Sequence, residues 1–197
     1  MQSLSGSKSE LLRALAEKSV CRGDFTLASG AKSDLYVDAR VTTLDPRCAL
    51  LVGQIGWALI QQTCAEKNLR VDSVGGLTMG ADPIALSIGL AAALDDPPSA
   101  PRIFTVRKKA KDHGRTKMIE GNFAAGDAVV VIDDVITTGG STIQAIEKIE
   151  AEGGKVVFAL VLVDRCEQDG RQNIESRGIP VVAIFNREDV LAAKAAM

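Results

Sequence analysis

The sequence predicts an α/β fold with a central, mostly parallel five-stranded sheet flanked by helices. Apolar, β-branched segments are the candidate strands, and they span residues 71–75, 103–106, 128–132, 156–163 and 181–185. Amphipathic segments separate most of them, the clearest being residues 83–94 and 142–152. Strands that alternate with helices favour right-handed parallel crossovers, so helices are expected on both faces of the sheet.

Two helices are predicted ahead of the first strand. The residues Ser7 to Glu10 fit a capping box, in which a serine and a glutamate three positions later satisfy backbone N–H groups, so a helix is expected to open at Ser7. Asp45 is expected to cap a second helix that begins at Pro46 and continues to about Lys67, because proline is favoured at the first helical position.

The composition indicates a single globular domain over residues 1–197. A chain of this length can bury around 70% of its unfolded surface and form a complete α/β core. The net charge of -2 argues against a polyanion-binding surface, so nucleic acid is not an expected partner. The apolar run 49–60 is shorter than the roughly 20 residues that cross a bilayer, and the N-terminus shows no secretory signal. We therefore expect a cytoplasmic protein with no membrane partner.

Side chains that commonly bind metals are scattered along the chain. The four cysteines form no CxxC pair, and His113 is the only histidine, so the usual structural zinc sets cannot be assembled from them. The cysteines are interpreted as reduced thiols that pack in the fold: Cys21, Cys48, Cys64 and Cys166.

The most informative segment is VVVIDDVITTGGST, residues 129–142. A buried strand ends in Asp133 and Asp134, and a turn of small residues then opens an amphipathic helix. Backbone N–H groups and roughly half a positive charge at a helix N-terminus attract an anion, and Gly139 and Gly140 allow it to approach closely. The two carboxylates can accept hydrogen bonds from neighbouring hydroxyls. A ribose 5-phosphate supplies both groups.

The alternative for this segment is an ordinary strand–turn–helix corner in which Asp133 or Asp134 caps the helix. A cap needs one acid rather than two acids followed by paired threonines and glycines. A Walker loop is excluded because no Gly-Lys-Ser/Thr follows, and a dinucleotide fingerprint is excluded because GxGxxG is absent here.

Two carboxylates, an apolar pair and TTGGS closely resemble the phosphoribosyl pyrophosphate motif of type I phosphoribosyltransferases. The resemblance implies the type I phosphoribosyltransferase fold, with a small N-terminal cover, or hood, over the base site. It also implies a donor-binding role for each residue of the motif: Asp133, Asp134, Val135, Ile136, Thr137, Thr138, Gly139, Gly140 and Ser141.

A basic segment, RKKAKDHGRTKMIEG, occupies residues 107–121 between the second and third predicted strands. Considered alone it would be a solvated run of charge. However, RKKAKDHG is similar to the mobile catalytic loop of orotate phosphoribosyltransferases, and FTLASG at 25–30 and the pair Asp164-Arg165 extend the resemblance in the right order. The resemblance implies that the donor's pyrophosphate is bound by Arg107, Lys108, Lys111 and His113, with Lys111 and His113 catalytic. It also implies that orotate is held by Thr137 and Arg165.

The family resemblance implies an activity and an organisation for the whole chain. Residues 1–45 would contribute the hood and residues 108–122 the mobile catalytic loop. The enzyme would join orotate to phosphoribosyl pyrophosphate and release orotidine 5′-monophosphate and pyrophosphate. Mg²⁺ would be held mainly by substrate oxygens and water. The subunits would form a homodimer in which each loop acts on the neighbouring active site.

Two other activities remain open on the same fold. One is transfer to a purine or another base, which would not need Arg165 as a fork for a carboxylate. The other is a nucleotide sensor that binds the donor without turnover. For Arg165 itself, the alternative is a surface arginine paired with Asp164. Ser29 and Gly30 are expected near the pyrimidine edge, the alternative being an edge hairpin with a serine-glycine turn.

The chain departs from the family pattern at two positions. Many members carry lysine where this chain has Ala28 and Gly80. Lys32 and Arg40 are candidates to restore the missing charge. Gly75 and Gly76, expected directly after a strand, are candidates to present backbone N–H groups to pyrophosphate.

Overall fold

The computed structural model describes residues 4–26, 32–109 and 117–197, and the elements alternate as the sequence predicts. The N-terminal part contains α1 (Leu4–Lys18), β1 (Val20–Thr26), β2 (Lys32–Val37), α2 (Ala39–Thr43) and α3 (Pro46–Lys67). The remainder contains β3 (Ser73–Leu77), α4 (Ala81–Asp95), a 3-10 turn (Pro97–Ser99), β4 (Arg102–Val106), β5 (Ile119–Gly121), β6 (Ala128–Ile136), α5 (Gly140–Ala151), β7 (Lys155–Asp164), α6 (Gly170–Glu175), β8 (Val181–Asn186) and α7 (Arg187–Ala195).

The central sheet has six strands in the order β5-β4-β3-β6-β7-β8. The five predicted strands are all present and run parallel to one another. The predicted strand count is one short, because β5 adds a three-residue antiparallel strand beside β4. β5 falls inside the predicted loop 108–122, where it buries the side chain of Ile119 against the second core cluster. The end of that segment is therefore part of the sheet.

The first parallel strand lies two residues further along the chain than predicted, at β3, so that Gly75 and Gly76 are inside the sheet. An added Cβ at Gly75 would stand 2.2 Å from the carbonyl oxygen of Phe104, and one at Gly76 would stand 1.9 Å from that of Ile132. The expectation that these glycines present N–H groups to pyrophosphate is wrong. Their role is to let neighbouring strands approach closely.

The capping predictions have different outcomes for the two N-terminal helices. α1 begins at Leu4, and Ser7 is buried within it, so the capping box at Ser7 is wrong. α1 packs against α3 and α7, and tertiary packing commonly overrides a local signal of this kind. Asp45 does cap α3, because its Oδ1 accepts hydrogen bonds from the backbone N–H groups of Arg47 (3.0 Å) and Cys48 (3.1 Å).

α3 is the one helix in the described part of the chain that is long and apolar enough to cross a membrane, judged by length and composition alone. A buried helix of a globular core passes the same test. Val52, Ile55 and Ile60 of α3 belong to the first core cluster. Gly53 lets α4 approach so closely that an added Cβ would stand 2.4 Å from the carbonyl oxygen of Ser87.

The two faces of the sheet are covered by separate apolar clusters, as expected for parallel crossovers. Alternate residues of β6 point to opposite faces, with Val130 and Ile132 in one cluster and Val129 and Val131 in the other. α1, α3, α4 and α7 cover the first face, and α5 and α6 cover the second. The N-terminal hairpin β1–β2 forms a separate two-stranded sheet.

Candidate active site

A cleft of about 400 Å³ opens beyond the carboxyl ends of β3 and β6 and beside Arg165, the residue after β7. This is the edge at which ligands bind in open α/β sheets. The predicted site residues that line the cleft are Lys108, Asp133, Asp134, Val135, Thr137, Ser141 and Arg165. The structure therefore brings together the acidic pair, the turn before α5 and the arginine that follows β7.

Other predicted residues occupy different places. Ile136 is buried in the second core cluster and does not line the cleft. Arg107, Thr138 and Gly140 each neighbour a lining residue in the chain, and Gly139 lies between Thr138 and Gly140, but none of these four lines the cleft. The two predicted catalytic residues, Lys111 and His113, lie outside the described residues, as do Ala28, Ser29 and Gly30.

The two carboxylates have different environments. Asp133 is 4% exposed, and its Oδ2 accepts a hydrogen bond of 2.6 Å from the hydroxyl of Thr142. Its Oδ1 accepts one of 3.0 Å from the backbone N–H of Asp134. Burial, and then the adjacent charge of Asp134, raise the pKa of Asp133 to about 7, although the Thr142 hydroxyl opposes the shift. Asp134 is only partly buried, and its Oδ1 accepts from the N–H of Val135 at 2.9 Å.

The turn between the acidic pair and α5 is supported from behind. Gly139 has a φ of 77°, in the left-handed region that favours glycine, and it is the residue before the helix. An added Cβ at Gly139 would stand 2.7 Å from the carbonyl oxygen of Gly170, and one at Gly170 would stand 2.3 Å from that of Thr137. The side-chain amide of Asn173 donates to the carbonyl of Thr138 at 3.0 Å. The backbone that leads into α5 therefore packs closely against α6.

The N-cap residue of α5 is Gly139, which has no side chain, and the hydroxyl of Thr138 accepts a hydrogen bond of 3.3 Å from the N–H of Gly140. The alternative in which Asp133 or Asp134 serves as its cap is therefore wrong. The first backbone N–H groups of a helix have no acceptor within the helix and carry its positive dipole end. At the start of α5 this end lies next to Ser141, which lines the cleft. The arrangement can receive a phosphate.

Arg165 is 4% exposed, and it joins the hood to the end of the sheet. Its Nη2 donates to the carbonyl of Leu35 in β2 at 2.6 Å, and it forms an ion pair of 2.9 Å with Glu167. Asp164 pairs instead with Arg171 at 2.8 Å. The alternative of a surface Arg165 paired with Asp164 is therefore wrong on both counts.

A second arginine extends this connection. Arg187, at the start of α7, donates to Glu167 at 3.2 Å and also pairs with Asp34 of the hood. Glu167 thus lies between Arg165 and Arg187. This network, together with the Leu35 contact, sets the position of β2 over the cleft.

The first two residues of the basic segment, Arg107 and Lys108, form its root. Their backbone makes hydrogen bonds to other parts of the fold, which distinguishes the root from a freely solvated run of charge. Arg107 donates its backbone N–H to the carbonyl of Met118 at 2.9 Å, so the two ends of the segment are joined. Lys148 of α5 donates to the carbonyls of Arg107 (2.8 Å) and Lys108 (3.0 Å).

Several cleft residues were not singled out from the sequence as site residues. Tyr36, Val37 and Asp38 come from the hood. Leu77 ends β3, and Thr78 and Met79 follow it, with a cis peptide bond between them. Sequence reasoning had only weak signals for them, since the hood reaches the cleft through contacts such as Arg165 to Leu35, far apart in sequence.

One proposed replacement charge does reach the cleft. Arg40 lines it and donates to both carboxylate oxygens of Asp38, at 2.9 and 3.0 Å. Lys32 lies instead in a surface depression that contains Asp34 and Arg187.

Gly80, the other departure from the family pattern, lies against the acidic pair. An added Cβ would stand 2.5 Å from Oδ1 of Asp134 and 2.6 Å from its Cγ. Any side chain at position 80 would require the Asp134 carboxylate to move. The cleft therefore has no room for a lysine at position 80 while the Asp134 carboxylate keeps its present position.

Comparison with known proteins agrees with this architecture. A family model described as a phosphoribosyl transferase domain matches residues 58–188. The orotate phosphoribosyltransferase of Streptomyces coelicolor is 40% identical over 188 residues, which cover 93% of this chain and 96% of that protein.

Solved structures show the same relationship. The crystal structure of Mycobacterium tuberculosis orotate phosphoribosyltransferase in complex with Fe(III) dicitrate matches with a TM-score of 0.76 and 35% identity, covering 93% of this chain and 98% of that one. A complex of the M. tuberculosis enzyme with 5-phospho-alpha-D-ribosyl 1-diphosphate matches with a TM-score of 0.72 and 30% identity, covering 93% and 91%. Together with the cleft at the end of the parallel sheet, these likenesses show that the chain belongs to the orotate phosphoribosyltransferases, a family of pentosyltransferase enzymes with the type I phosphoribosyltransferase fold.

Proposed function

We propose that this chain transfers the ribose 5-phosphate of 5-phospho-α-D-ribose 1-diphosphate to orotate, giving orotidine 5′-monophosphate and pyrophosphate in pyrimidine synthesis. The observation that carries the proposal is one cleft that combines an acidic pair, the N-terminus of α5 and the buried Arg165. Each of these groups matches a different part of the two substrates.

The acidic pair and the turn fit the sugar phosphate of the donor. Asp133 and Asp134 can accept hydrogen bonds from the ribose hydroxyls, while the backbone N–H groups near Ser141 receive the 5′-phosphate. Arg165 offers a planar fork of donors to the orotate carboxylate, a group that uracil and purine bases lack. Thr137 lines the same cleft, and we assign it a contact with the base by resemblance.

The basic segment fits the leaving group. Attack by the orotate ring nitrogen breaks the bond between the anomeric carbon and pyrophosphate, so negative charge grows on the pyrophosphate. Cations held in a site that excludes water stabilise such charge strongly. Lys108 lines the cleft, and we assign the same role to Arg107, Lys111 and His113 by resemblance.

We further propose Mg²⁺ as the cofactor. The described residues contain no group of three or more histidine, cysteine, aspartate or glutamate side chains that could hold a metal. Asp133 and Asp134 are assigned to the ribose hydroxyls, so Mg²⁺ would be held mainly by substrate oxygens and water, ligands that this ion commonly keeps. When bound, the ion would neutralise charge on the donor's pyrophosphate.

We also propose a homodimer, in which the basic segment of one subunit reaches the active site of the other. A row of exposed leucines on α4, Leu86, Leu90 and Leu94, supports a second copy as the partner, because an uncovered apolar stripe is unfavourable in water. Leu50 of α3 extends the same apolar groove. We also propose a cytoplasmic location. α3 is long and apolar enough to cross a membrane, but its buried residues belong to the core.

The direct test follows the loss of orotate absorbance when the protein is mixed with orotate, the ribosyl diphosphate donor and Mg²⁺. Turnover is expected with orotate but not with uracil or adenine, and chelation of Mg²⁺ by EDTA should stop it reversibly. Turnover of adenine without orotate would contradict the proposed base. Donor binding without turnover of any base would favour a sensor.

A further inference from the structure

Lys148 makes an unusual contact for a helix lysine. It lies in the last turn of α5, and its ammonium donates to two successive backbone carbonyls, those of Arg107 (2.8 Å) and Lys108 (3.0 Å). Both acceptors belong to the root of the basic segment, about forty residues away in sequence. The contact joins that root to the helix whose first turn faces the cleft.

The geometry favours this contact over a solvent-exposed one. The side chain is partly buried, and burial lowers the pKa of Lys148, so its ammonium has lost hydration. Two carbonyl acceptors within hydrogen-bond distance offset that loss, since hydrogen bonds to charged groups are stronger than neutral ones.

Lys108 links this contact to the cleft. Its carbonyl accepts from Lys148, and the same residue lines the cleft that the acidic pair also lines. On the other side, the backbone N–H of Arg107 is fixed by the carbonyl of Met118. Lys148 therefore restrains the one stretch of backbone that decides where the Lys108 side chain starts.

We propose that Lys148 is a positioning residue for the donor's pyrophosphate, which holds the Arg107–Lys108 backbone so that Lys108 stands in the cleft. This inference rests on the pyrophosphate-binding role proposed for Lys108. Lys148 itself contacts no substrate. Its effect passes through the backbone of the segment.

The test is a double-mutant cycle between Lys148→Met and Lys108→Met, read as kcat/KM for the ribosyl diphosphate donor. Each single variant should lower this value about tenfold, the size of one lost charged hydrogen bond, while KM for orotate stays unchanged. The double variant should be little worse than Lys108→Met alone, because residues that act as a unit are not additive. Lys148→Arg should recover most of the loss, since a guanidinium can also donate to two carbonyls.

Lys155→Met is the matched control, because this exposed lysine begins β7 at the opposite end of the strand from Asp164. It should leave kcat/KM unchanged. Thermal unfolding of all the variants separates loss of folding from loss of position.

Two outcomes would overturn the inference in distinguishable ways. Normal kinetics for Lys108→Met would refute the role of Lys108 and the inference with it. The inference alone would be refuted if Lys108→Met lowered kcat/KM while Lys148→Met left it unchanged. It would also be refuted if the two effects were fully additive in the double variant.

Discussion

At the scale of single residues, Asp133 shows most directly what it costs to bury the acidic pair. It is a nearly buried carboxylate next to a second one, held by the Thr142 hydroxyl and the N–H of Asp134. Its pKa is raised in the folded protein, so the native state binds a proton more readily than the unfolded state between about pH 4 and about pH 7. Stability from this residue is therefore lost as the pH rises through that window.

Asp133→Asn should remove this pH dependence. The quantity to follow is the free energy of unfolding of the variant minus that of the unchanged protein. When the pH is raised from 5 to 8, this difference should shift in favour of the variant by about 1 to 3 kcal/mol. The measurement is chemical denaturation at both pH values without substrate. Activity should fall in the same variant, because an amide accepts fewer hydrogen bonds from the ribose hydroxyls.

Asp72→Asn provides a control, because the pKa of this carboxyl is shifted in the opposite direction from that of Asp133. The N–H of Ala128, 3.0 Å away, and Arg70 lower the pKa of Asp72, so it is ionised in both states throughout pH 5–8. This variant should be destabilised by the same amount at both pH values. An Asp133→Asn difference that is equally flat would show that the buried carboxylate is not protonated in this range.

Arg165→Lys tests the fork at the base site. Lysine keeps the positive charge but loses the planar pair of donors, so KM for orotate should rise about tenfold or more while KM for the donor changes little. Initial rates with each substrate varied in turn give both constants. An increase confined to the donor's KM would assign Arg165 to the phosphate side of the cleft.

At the scale of elements, the sequence was most informative where local signals and tertiary packing agree. The five parallel strands and the Asp45 cap of α3 follow from apolar runs and capping chemistry. The start of α1, the shift of β3 and the whole of β5 depend on neighbours distant in sequence. Ile119, for example, joins a strand because β4 offers it an edge.

The candidate site divides in the same way. The acidic pair and the turn before α5 form one continuous segment, so a single motif could reveal them. Tyr36, Asp38 and Thr78 could not be singled out, because the hood and the loop after β3 reach the cleft only once the chain has folded.

Gly80→Ala tests the contact between the start of α4 and the end of β6. The new Cβ would displace the carboxylate of Asp134, so KM for the donor should rise severalfold, with stability reduced by no more than about 1 to 3 kcal/mol as in other overpacked sites. Gly23→Ala, whose Cβ would meet only Phe25 ring atoms at 3.5 Å, is the control and should leave KM unchanged. Unchanged donor binding in Gly80→Ala would mean that Asp134 is free to move aside.

At the scale of the whole molecule, the proposed homodimer makes a prediction that no single subunit can satisfy. Lys111→Ala should lower kcat by about 10², by analogy with the loss of one transition-state donor. An Asp133→Ala, Asp134→Ala double variant should be inactive because it cannot bind the ribose. When the two proteins are mixed under conditions that exchange subunits, part of the activity should return.

The regained activity has a clear interpretation. In a mixed dimer, the subunit with an intact acidic pair would receive Lys111 from its partner. Each protein incubated alone under the same conditions is the control. Absence of recovery despite subunit exchange, measured by native mass spectrometry, would place Lys111 in its own subunit's site.

The position of α5 has a consequence that extends over the molecule. Its first turn faces the cleft, Thr142 holds Asp133, and Lys148 holds the root of the basic segment. At 1.5 Å per residue, the eight steps from Gly140 to Lys148 separate these two residues by about 12 Å along the helix axis. One residue inserted in this interval would rotate Lys148 by about 100° around the helix axis while leaving the first turn intact. On the role proposed for Lys148, such an insertion would weaken donor binding.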